Sequence, residues 1–433
     1  MTSRLFLLLF GLVGVAHLRA ADAATPAPAG LDAFARQVET ELRTDILPFW
    51  MKHVRDPRGG FFGYVDNELV VKPDAPRGAL LTARILWTYS AAYRRYRDPV
   101  YLEMARVAYD DLLGRFWDRE HGGLFWSIKA DGTPLDTRKL LYVQAFGIYG
   151  LTEYYRAIND RAPLDRALDL YRLVEAHAHD REHLGYFEEF TRDWQVSRAR
   201  GADRGGQGSA MGSLDQKSQN VHLHLLEAYT NLYRAWPDAG LQKNLREVVA
   251  LLLTRVLDSS THHLRMFLAE DWTPRSDTIT YGHDIEFSWL LVETAEALGD
   301  DKLVAATRAE AVAIAKVTLA QGVDPDGGVL CEANPQGYTR PYKEWWAQAE
   351  AAVGFLNAYQ ISGDATCLQA SQHSWAFIEQ RLVDRKNGEW YRATARDGRV
   401  ESDDKASFWK CPYHNGRACL QLLERLDALS RKR

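Results

Sequence analysis

The 433-residue chain repeats one turn motif six times, at intervals of roughly sixty residues, with a longer interval after the third copy. Each copy begins with an aspartate, and every copy except the fourth contains glycine, which favours a tight turn. The copies begin at Asp56, Asp118, Asp180, Asp258, Asp324 and Asp384. Such a repeat predicts one structural unit that is used six times.

The segments between the turns follow one order. A short aromatic segment with strand-like alternation comes first, such as "LFWSIKADG". A helix that is apolar nearly all round follows, such as "LLYVQAFGIYGLTEYYRAI", and then an amphipathic helix, such as "DPVYLEMARVAYDDLLGRFW". Six such helical hairpins predict an all-α fold, the (α/α)6 barrel, with short β-hairpins at the loops. An open solenoid is the alternative, but it would leave an apolar face of the inner helices exposed to water.

The N-terminus has the three-part layout of a secretory signal over residues 1–23, with Arg4, an apolar run over 5–16 and small residues at the end. The run is shorter than the ~20 residues needed to span a bilayer. A linker over 24–30 precedes the barrel domain, which occupies 31–433. We therefore expect a periplasmic or secreted protein with no membrane attachment after cleavage.

The composition excludes some partners and favours others. A net charge of -5 gives no basic field for nucleic acid. Thirteen tryptophans exceed ordinary use, and their flat faces suit sugars. The few, irregularly spaced cysteines predict buried core residues, and a disulfide stays possible without an evident pairing. They are Cys331, Cys367, Cys411 and Cys419.

The third unit carries extra Gly- and Ser-rich residues over 198–219. This segment lies beside an inner helix and is a candidate lid. It lacks the Gly-Lys-Ser/Thr spacing of a phosphate-binding loop, so we assign it no nucleotide role.

Unusual polar and aromatic residues fall in the first half of every inner helix. If the six helices run parallel, these side chains surround one mouth of an axial cavity, where a ligand would bind. They are Arg84, Tyr142, Gln144, Asn220, His222, His224, His283, Glu286, Trp346, Gln348, Glu350, Trp409 and His414.

Helical spacing sorts this set, because residues three or four apart share a face and residues two apart do not. Asn220 and His224 face together, whereas His222 should turn away. Asp284 should also point off the cavity and bond within the barrel wall. Alone, each histidine would more often be an ordinary core residue, but three at similar helix positions favour a site.

The charged residues suit proton transfer. Histidine can act as base and acid near neutral pH because its ordinary pKa is about 6.5. Glu286 shares a face with His283 and is predicted to orient it, while Arg84 could stabilise an oxyanion. A base on each face of a carbon next to a sugar aldehyde would invert that carbon through an enediolate.

A zinc site made of His224, His283 and His414 is the competing interpretation. The chain has no close-spaced ligand pair such as His-x-x-x-His to support it. The sequence therefore predicts no metal and no cofactor.

Four segments carry a family resemblance: "QNVHLHLLEAYTNLYRAWPD", "YGHDIEFSWLL", "WWAQAEAAVGFLNAY" and "FWKCPYHNGRACL". They resemble the cellobiose 2-epimerases within the N-acylglucosamine 2-epimerase superfamily, and the resemblance runs from about Leu31 to the end. It implies an (α/α)6 barrel and reversible C2 epimerisation of the reducing-end glucose in β-1,4-linked disaccharides such as cellobiose, lactose or mannobiose, without a redox cofactor. Such enzymes are usually cytosolic, so the secretory signal departs from the family.

The resemblance also implies residue roles. His283 and His414 would be the acid/base pair on opposite faces of C2, supported by Glu286 beside His283. His224 would assist ring opening. The implied substrate-binding residues are Arg84, Tyr142, Asn220, Trp346, Glu350 and Trp409.

Three other functions stay open. The chain could be an N-acylglucosamine 2-epimerase or mannose isomerase acting on monosaccharides. It could be an (α/α)6 glycoside hydrolase that uses the carboxyl groups of Glu286 and Glu350, or a sugar-binding protein without catalysis. The expected partner is a small disaccharide, and we expect a monomer or a weak homodimer.

Overall fold

The computed structural model describes residues 30–197 and 217–431 of the chain. The predicted signal 1–23, the linker up to residue 29 and residues 198–216 of the predicted lid lie outside the described residues. Within the described ranges, no helix combines the length and apolar character that crossing a bilayer requires.

Helices make up most of the described chain. In chain order they are α1 (Leu31–Glu41), α2 (Leu47–Phe49), α3 (Ala79–Tyr96), α4 (Pro99–Asp111), α5 (Leu141–Ile158), α6 (Arg161–His177), α7 (Gln219–Ala235), α8 (Ala239–Leu251), α9 (Tyr281–Leu298), α10 (Asp301–Gln321), α11 (Trp345–Ser362), α12 (Ala365–Phe377) and α13 (Tyr413–Ser430). Wider π-helical turns extend several outer helices, at Leu42–Ile46, Trp50–Val54, Leu112–Phe116, Leu252–Val256 and Ile378–Leu382.

The helices form two closed rings. In the inner ring α3 contacts α5, and contacts continue through α7, α9 and α11 to α13, which packs against α3 and completes the circle. Each of α4, α6, α8, α10 and α12 covers the inner helix before it, and α1 covers α13. The predicted (α/α)6 barrel is confirmed, and the first and last helices of the barrel lie side by side.

Five outer helices begin at an aspartate cap. The carboxylate of each cap accepts a hydrogen bond from a first-turn N–H that has no partner inside the helix. For example, Asp98 accepts from Val100 at 3.1 Å. The other four caps are Asp160, Asp238, Asp300 and Asp364.

Short strands join consecutive units into a collar. A strand before each inner helix pairs with a strand of the next unit: β2 with β3, β5 with β6, β7 with β10, β11 with β12, β14 with β15, and β16 with β1. The collar therefore lies where the inner helices begin. The strands are β1 (Val65–Asp66), β2 (Arg77–Gly78), β3 (Ser127–Ile128), β4 (Pro134–Asp136), β5 (Lys139–Leu140), β6 (Glu189–Phe190), β7 (Lys217–Ser218), β8 (Leu257–Asp258), β9 (His263–Leu264), β10 (Phe267–Leu268), β11 (Ile279–Thr280), β12 (Glu332–Asn334), β13 (Gly337–Arg340), β14 (Lys343–Glu344), β15 (Ala393–Thr394) and β16 (Asp404–Ala406).

The repeated turn aspartate anchors the collar. In the second unit Lys139, just before α5, donates to Asp118 at 2.9 Å, and both side chains are fully buried. The fourth unit has Ile279 at the equivalent position, and its Asp258 instead pairs with the partly exposed Arg265. Equivalent buried pairs are Arg77–Asp56, Lys217–Asp180, Lys343–Asp324 and Lys405–Asp384.

Apolar side chains fill the space between the two rings. A smaller cluster between α9, α10, α11 and α12 includes Tyr281, Ile285 and Phe355. The prediction that the cysteines are core residues is confirmed, since all four are buried as free thiols: Cys331, Cys367, Cys411 and Cys419.

Candidate active site

Two histidines from different repeats meet at the collar end of the barrel. His283 of α9 and His414 of α13 both contact the indole of Trp346, which belongs to α11, the helix between α9 and α13 in the inner ring. The imidazole centroids lie 4.7 Å and 5.7 Å from the Trp346 ring. The structure thus brings together the two imidazoles that the sequence analysis selected.

His414 is held by a carboxylate. Its Nδ1 lies 2.8 Å from Oε1 of Glu350, which also accepts from Arg417 at 2.7 Å. Burial, reinforced by the positive charges of Arg84 and Arg417, lowers the pKa of His414 well below its usual value. A neutral His414 that donates from Nδ1 keeps the Nε2 lone pair free to accept a proton.

Glu350 is therefore not placed as predicted. The sequence analysis assigned it to sugar binding, but it is fully buried behind His414. Its second oxygen accepts from Nε1 of Trp289 at 3.1 Å. Glu350 orients an imidazole in this structure and offers no exposed surface to a sugar.

His283 has uncharged partners. Its Nδ1 lies 2.9 Å from the hydroxyl of Thr280 and 3.3 Å from Nε2 of Gln219. Neither partner carries a charge, and the Thr280 hydroxyl can donate to Nδ1 or accept from it. Burial and the nearby His224 lower the pKa of His283 to about 3.

The predicted support of His283 by Glu286 is wrong. Both residues lie on one side of α9, but Glu286 is one turn deeper and its Oε1 accepts from Arg417 of α13. Its other oxygen is buried without a partner among the described residues. Burial and repulsion from Glu350 raise the pKa of Glu286 to about 7.

His224 has a carboxylate partner of its own. Its Nδ1 lies 3.1 Å from Oε2 of Glu227, and its ring packs against Tyr142 and Phe146 at 5.1 Å and 4.9 Å. Burial opposes ionisation of Glu227, but Arg417 and His224 outweigh it and lower its pKa to about 2. A carboxylate therefore fixes the His224 ring.

Arg84 is a buried cation beside the histidines. It donates to the Tyr142 hydroxyl at 2.8 Å and lies 3.8 Å from Sγ of Cys411. Within the described ranges, no carboxylate pairs with it. Asn220, in the first turn of α7, is also buried, and its Oδ1 has no partner among the described residues. An unpaired buried cation next to free polar groups suits a ligand that becomes anionic.

Tryptophans form the rim of the site. Trp346 and Trp409 are partly exposed, and Trp409 packs 6.0 Å from Trp126 and 5.8 Å from Tyr142. Trp126 lies on the hairpin of the second unit, and the sequence analysis did not single it out. Together these rings present flat apolar faces to a ligand that enters the site.

The residues predicted to turn away from the cavity do so. His222 accepts from the backbone N–H of Tyr186 at 3.1 Å, and Asp284 accepts from that of Leu264 at 2.8 Å. They clamp hairpins to inner helices. Gln144 and Gln348 were predicted to lie at the cavity mouth, and that prediction is wrong, because Gln144 binds the backbone of Leu124 and Gln348 binds that of Val329.

An arginine side chain lies where three potential metal ligands come close together. Across the described residues, the one group of ligand-type side chains whose atoms all lie within 4.8 Å of one another is Glu286, Glu350 and His414. The Arg417 guanidinium contacts both of its carboxylates. The three histidines of the zinc interpretation do not share such a point.

The sequence analysis missed Gln219, Thr280, Glu227 and Arg417. Glu227 follows His224 by three residues, and Arg417 follows His414 by three, each on an inner helix. The same spacing rule that paired other residues could have found both. Thr280 stands three residues before His283 and could have been found in the same way, whereas Gln219, the first residue of α7, reaches a histidine of another helix and carries no such signal.

Comparison with known proteins agrees with this geometry. The N-acylglucosamine 2-epimerase (GlcNAc 2-epimerase) family pattern matches residues 60–418. A cellobiose 2-epimerase of Bacteroides fragilis is 42% identical over 392 residues, which cover 90% of this chain and 98% of that protein. An N-acylglucosamine 2-epimerase of Bos taurus is 25% identical, with 92% of each chain covered.

A solved structure extends the likeness. The cellobiose 2-epimerase of Bacillus thermoamylovorans superimposes with a TM-score of 0.85 at 38% identity, covering 91% of this chain and all of that one. The matched region includes the inner helices that carry His224, His283 and His414. The chain belongs to the N-acylglucosamine 2-epimerase family.

Proposed function

We propose that the protein epimerises C2 of the reducing-end glucose in a β-1,4-linked disaccharide such as cellobiose. The observation that carries this proposal is the pair His283 and His414, neutral imidazoles from different repeats that both pack against one indole. The similarity to proteins named cellobiose 2-epimerases supports it.

In this mechanism the sugar first opens to its aldehyde form, with His224 assisting. The free Nε2 of His414 takes the C2 proton, and the electron pair moves to the carbonyl oxygen to give an enediolate. Arg84 has no carboxylate partner among the described residues, so its positive charge is available to stabilise the negative charge on the enediolate. Tyr142 and Asn220 form hydrogen bonds with other oxygen atoms of the substrate.

Reprotonation completes the inversion. The anion raises the pKa of the imidazole that faces it, so His283 takes up a solvent proton and delivers it from Nε2 to the other face of C2. The Thr280 hydroxyl can accept from the imidazolium as readily as it donates to the neutral ring. In the reverse reaction the two histidines exchange roles.

The aromatic rim favours a disaccharide. Trp409 and Trp126 lie beyond the histidines and provide stacking surface for a second ring. A monosaccharide would leave that surface uncovered. Glycoside hydrolysis is disfavoured because Glu286 and Glu350 both contact Arg417 and do not flank an open cleft.

The direct test is proton NMR in heavy water with cellobiose, mannose and N-acetylglucosamine as separate substrates. We expect deuterium at C2 of the reducing-end residue and growth of the glucosyl-mannose epimer from cellobiose, with little change in the two monosaccharides. Free glucose would indicate hydrolysis, and a ketose would indicate isomerisation. Binding without any change would indicate a sugar-binding protein.

We also propose export and a monomeric or weakly dimeric state. Residues 1–23 support export through their signal-like layout. On the described surface the large exposed apolar side chains, such as Val70, Leu184 and Tyr338, are few and belong to different repeats, which supports a monomer or a weak dimer. Expression with the native N-terminus should give a periplasmic protein whose mass lacks about 23 residues. Light scattering should then give a monomer mass at low concentration.

A further inference from the structure

We propose that Arg417 is a positioning residue that holds two histidine–carboxylate pairs of the site in register. This inference rests on the proposed function. Arg417 lies behind His414 and is fully buried, so it does not touch the substrate. It extends from α13 across the barrel axis to carboxylates of three other inner helices.

The guanidinium uses both terminal nitrogens. Nη1 donates to Oε1 of Glu227 and to the Tyr413 hydroxyl, and Nη2 donates to Oε1 of Glu286 and, at 2.7 Å, to Oε1 of Glu350. The Tyr413 hydroxyl itself donates to Glu227. One planar fork therefore fixes carboxylates from α7, α9 and α11, which a lysine ammonium could not reach together.

Two of these carboxylates continue to a histidine. Glu350 accepts from Nδ1 of His414 at 2.8 Å, and Glu227 binds Nδ1 of His224 at 3.1 Å. Each chain of contacts runs from Arg417 through a carboxylate to Nδ1 of a histidine, and the Nε2 atom on the other side of that ring is the one proposed to act on the substrate. Rotation of the guanidinium would therefore displace both rings. His283, which Thr280 and Gln219 hold, is outside this network.

The charges explain why one arginine can serve three carboxylates. A fully ionised set would leave excess negative charge in the barrel interior, at a high desolvation cost. Glu227 stays ionised, whereas Glu286 can hold a proton near neutral pH because burial and Glu350 raise its pKa. A protonated Glu286 thus removes one negative charge from the set, and Glu350 can accept the hydrogen bond from His414.

The test compares Arg417→Gln and Arg417→Lys with Arg425→Gln. Arg425 is a matched control because it lies two turns further along α13, is mostly buried and pairs with Glu293 at 3.3 Å. We expect Arg417→Gln to lower kcat about 10²- to 10⁴-fold, as loss of an imidazole-orienting group does. KM for cellobiose should change less than about threefold. Lysine should restore only part of the rate, and the control should stay near wild type.

The pH profile separates positioning from folding. Without the cation, the remaining carboxylates hold protons more tightly, so the acid limb of the kcat profile should move to higher pH. A variant that only lost folded protein would keep the wild-type profile. The titratable and charged groups that face this network are Arg84 of α3, Tyr149 of α5, His224 and Glu227 of α7, Glu286 of α9, Glu350 of α11, and Tyr413 and His414 of α13.

A second readout needs no substrate. The Nδ1 protons of His414 and His224, each bound to a carboxylate, should give downfield proton resonances in histidine-labelled protein. We expect these resonances to shift or disappear in Arg417→Gln and to persist in Arg425→Gln. If Arg417→Gln does not fold, Arg417→Lys and Glu350→Gln carry the comparison, and Glu350→Gln should move the His414 resonance alone.

The outcomes distinguish this inference from the proposed function. Unchanged resonances and an unchanged pH profile in a folded Arg417 variant would overturn the positioning role, even if cellobiose is epimerised. A wild-type protein that epimerises no disaccharide would overturn the proposed function. Loss of the resonances in Arg417→Gln would still support the positioning role in that case.

Discussion

Replacing His414 by asparagine is expected to abolish formation of the C2 epimer, with kcat reduced about 10²- to 10⁴-fold, the range that a general acid or base contributes. Asparagine keeps a polar side chain of similar shape but cannot carry the proton. His283→Asn should have the same effect. The measurement is the rate of glucosyl-mannose formation from cellobiose, followed by NMR.

Hydrogen exchange in heavy water tests the two histidines separately. If the two imidazoles face opposite sides of C2, each single variant keeps the base on one side. His414→Asn and His283→Asn should therefore each exchange the C2 hydrogen of only one epimer, and not the same one. His177→Asn, at an exposed position on the outer helix α6, is the control and should keep the wild-type rate. Continued epimerisation by both active-site variants would exclude the pair as acid and base.

Removing Asp118 is expected to destabilise the fold by about 3–5 kcal/mol, because it leaves the buried Lys139 without its counter-charge. Asp258→Ala is the matched change in the fourth turn, where aspartate and arginine are 32% and 29% exposed. That pair should contribute less than about 1 kcal/mol. Urea unfolding of both alanine variants measures the difference in the free energy of unfolding, and equal losses would show that the collar pair does not stabilise the barrel.

The pH dependence of this effect has a defined sign. Burial opposes ionisation of Asp118, but hydrogen bonds from Arg192 and Lys139 outweigh it and depress its pKa. A depressed folded pKa gives stability that is present above the unfolded value of about 3.9 and is lost as pH falls through the folded value. The wild-type protein and Asp118→Ala should therefore approach each other in stability in acid.

Periodicity was enough to predict the helical architecture. The turn aspartates marked the units, and the two kinds of helix gave the inner and outer rings. The pairing of strands in the collar was harder to predict from the sequence, because strands of two residues such as Lys139–Leu140 pair only after the helices bring them together. The buried partner of each turn aspartate depends on the same tertiary approach.

The sequence predicted where the site lies better than it predicted which side chains bind one another there. Spacing placed His224, His283 and His414 at one mouth because inner helices repeat the same orientation. It failed for Glu286, since sharing a face with His283 does not decide which neighbour a side chain reaches. Arg417 on another helix takes that carboxylate, and such contacts across the barrel axis leave no trace in local sequence.

The packing of α1 against α13 has a consequence for biosynthesis. Of the described helices α13 is the last to be synthesised, so a nascent chain lacks His414 and Arg417 until all the other helices have been made. The contact of α1 with α13 also joins residues that are distant in the sequence, and such contacts raise the contact order, which slows folding. During that interval five inner helices have no sixth neighbour, and their exposed apolar surfaces are the ones a chaperone would bind.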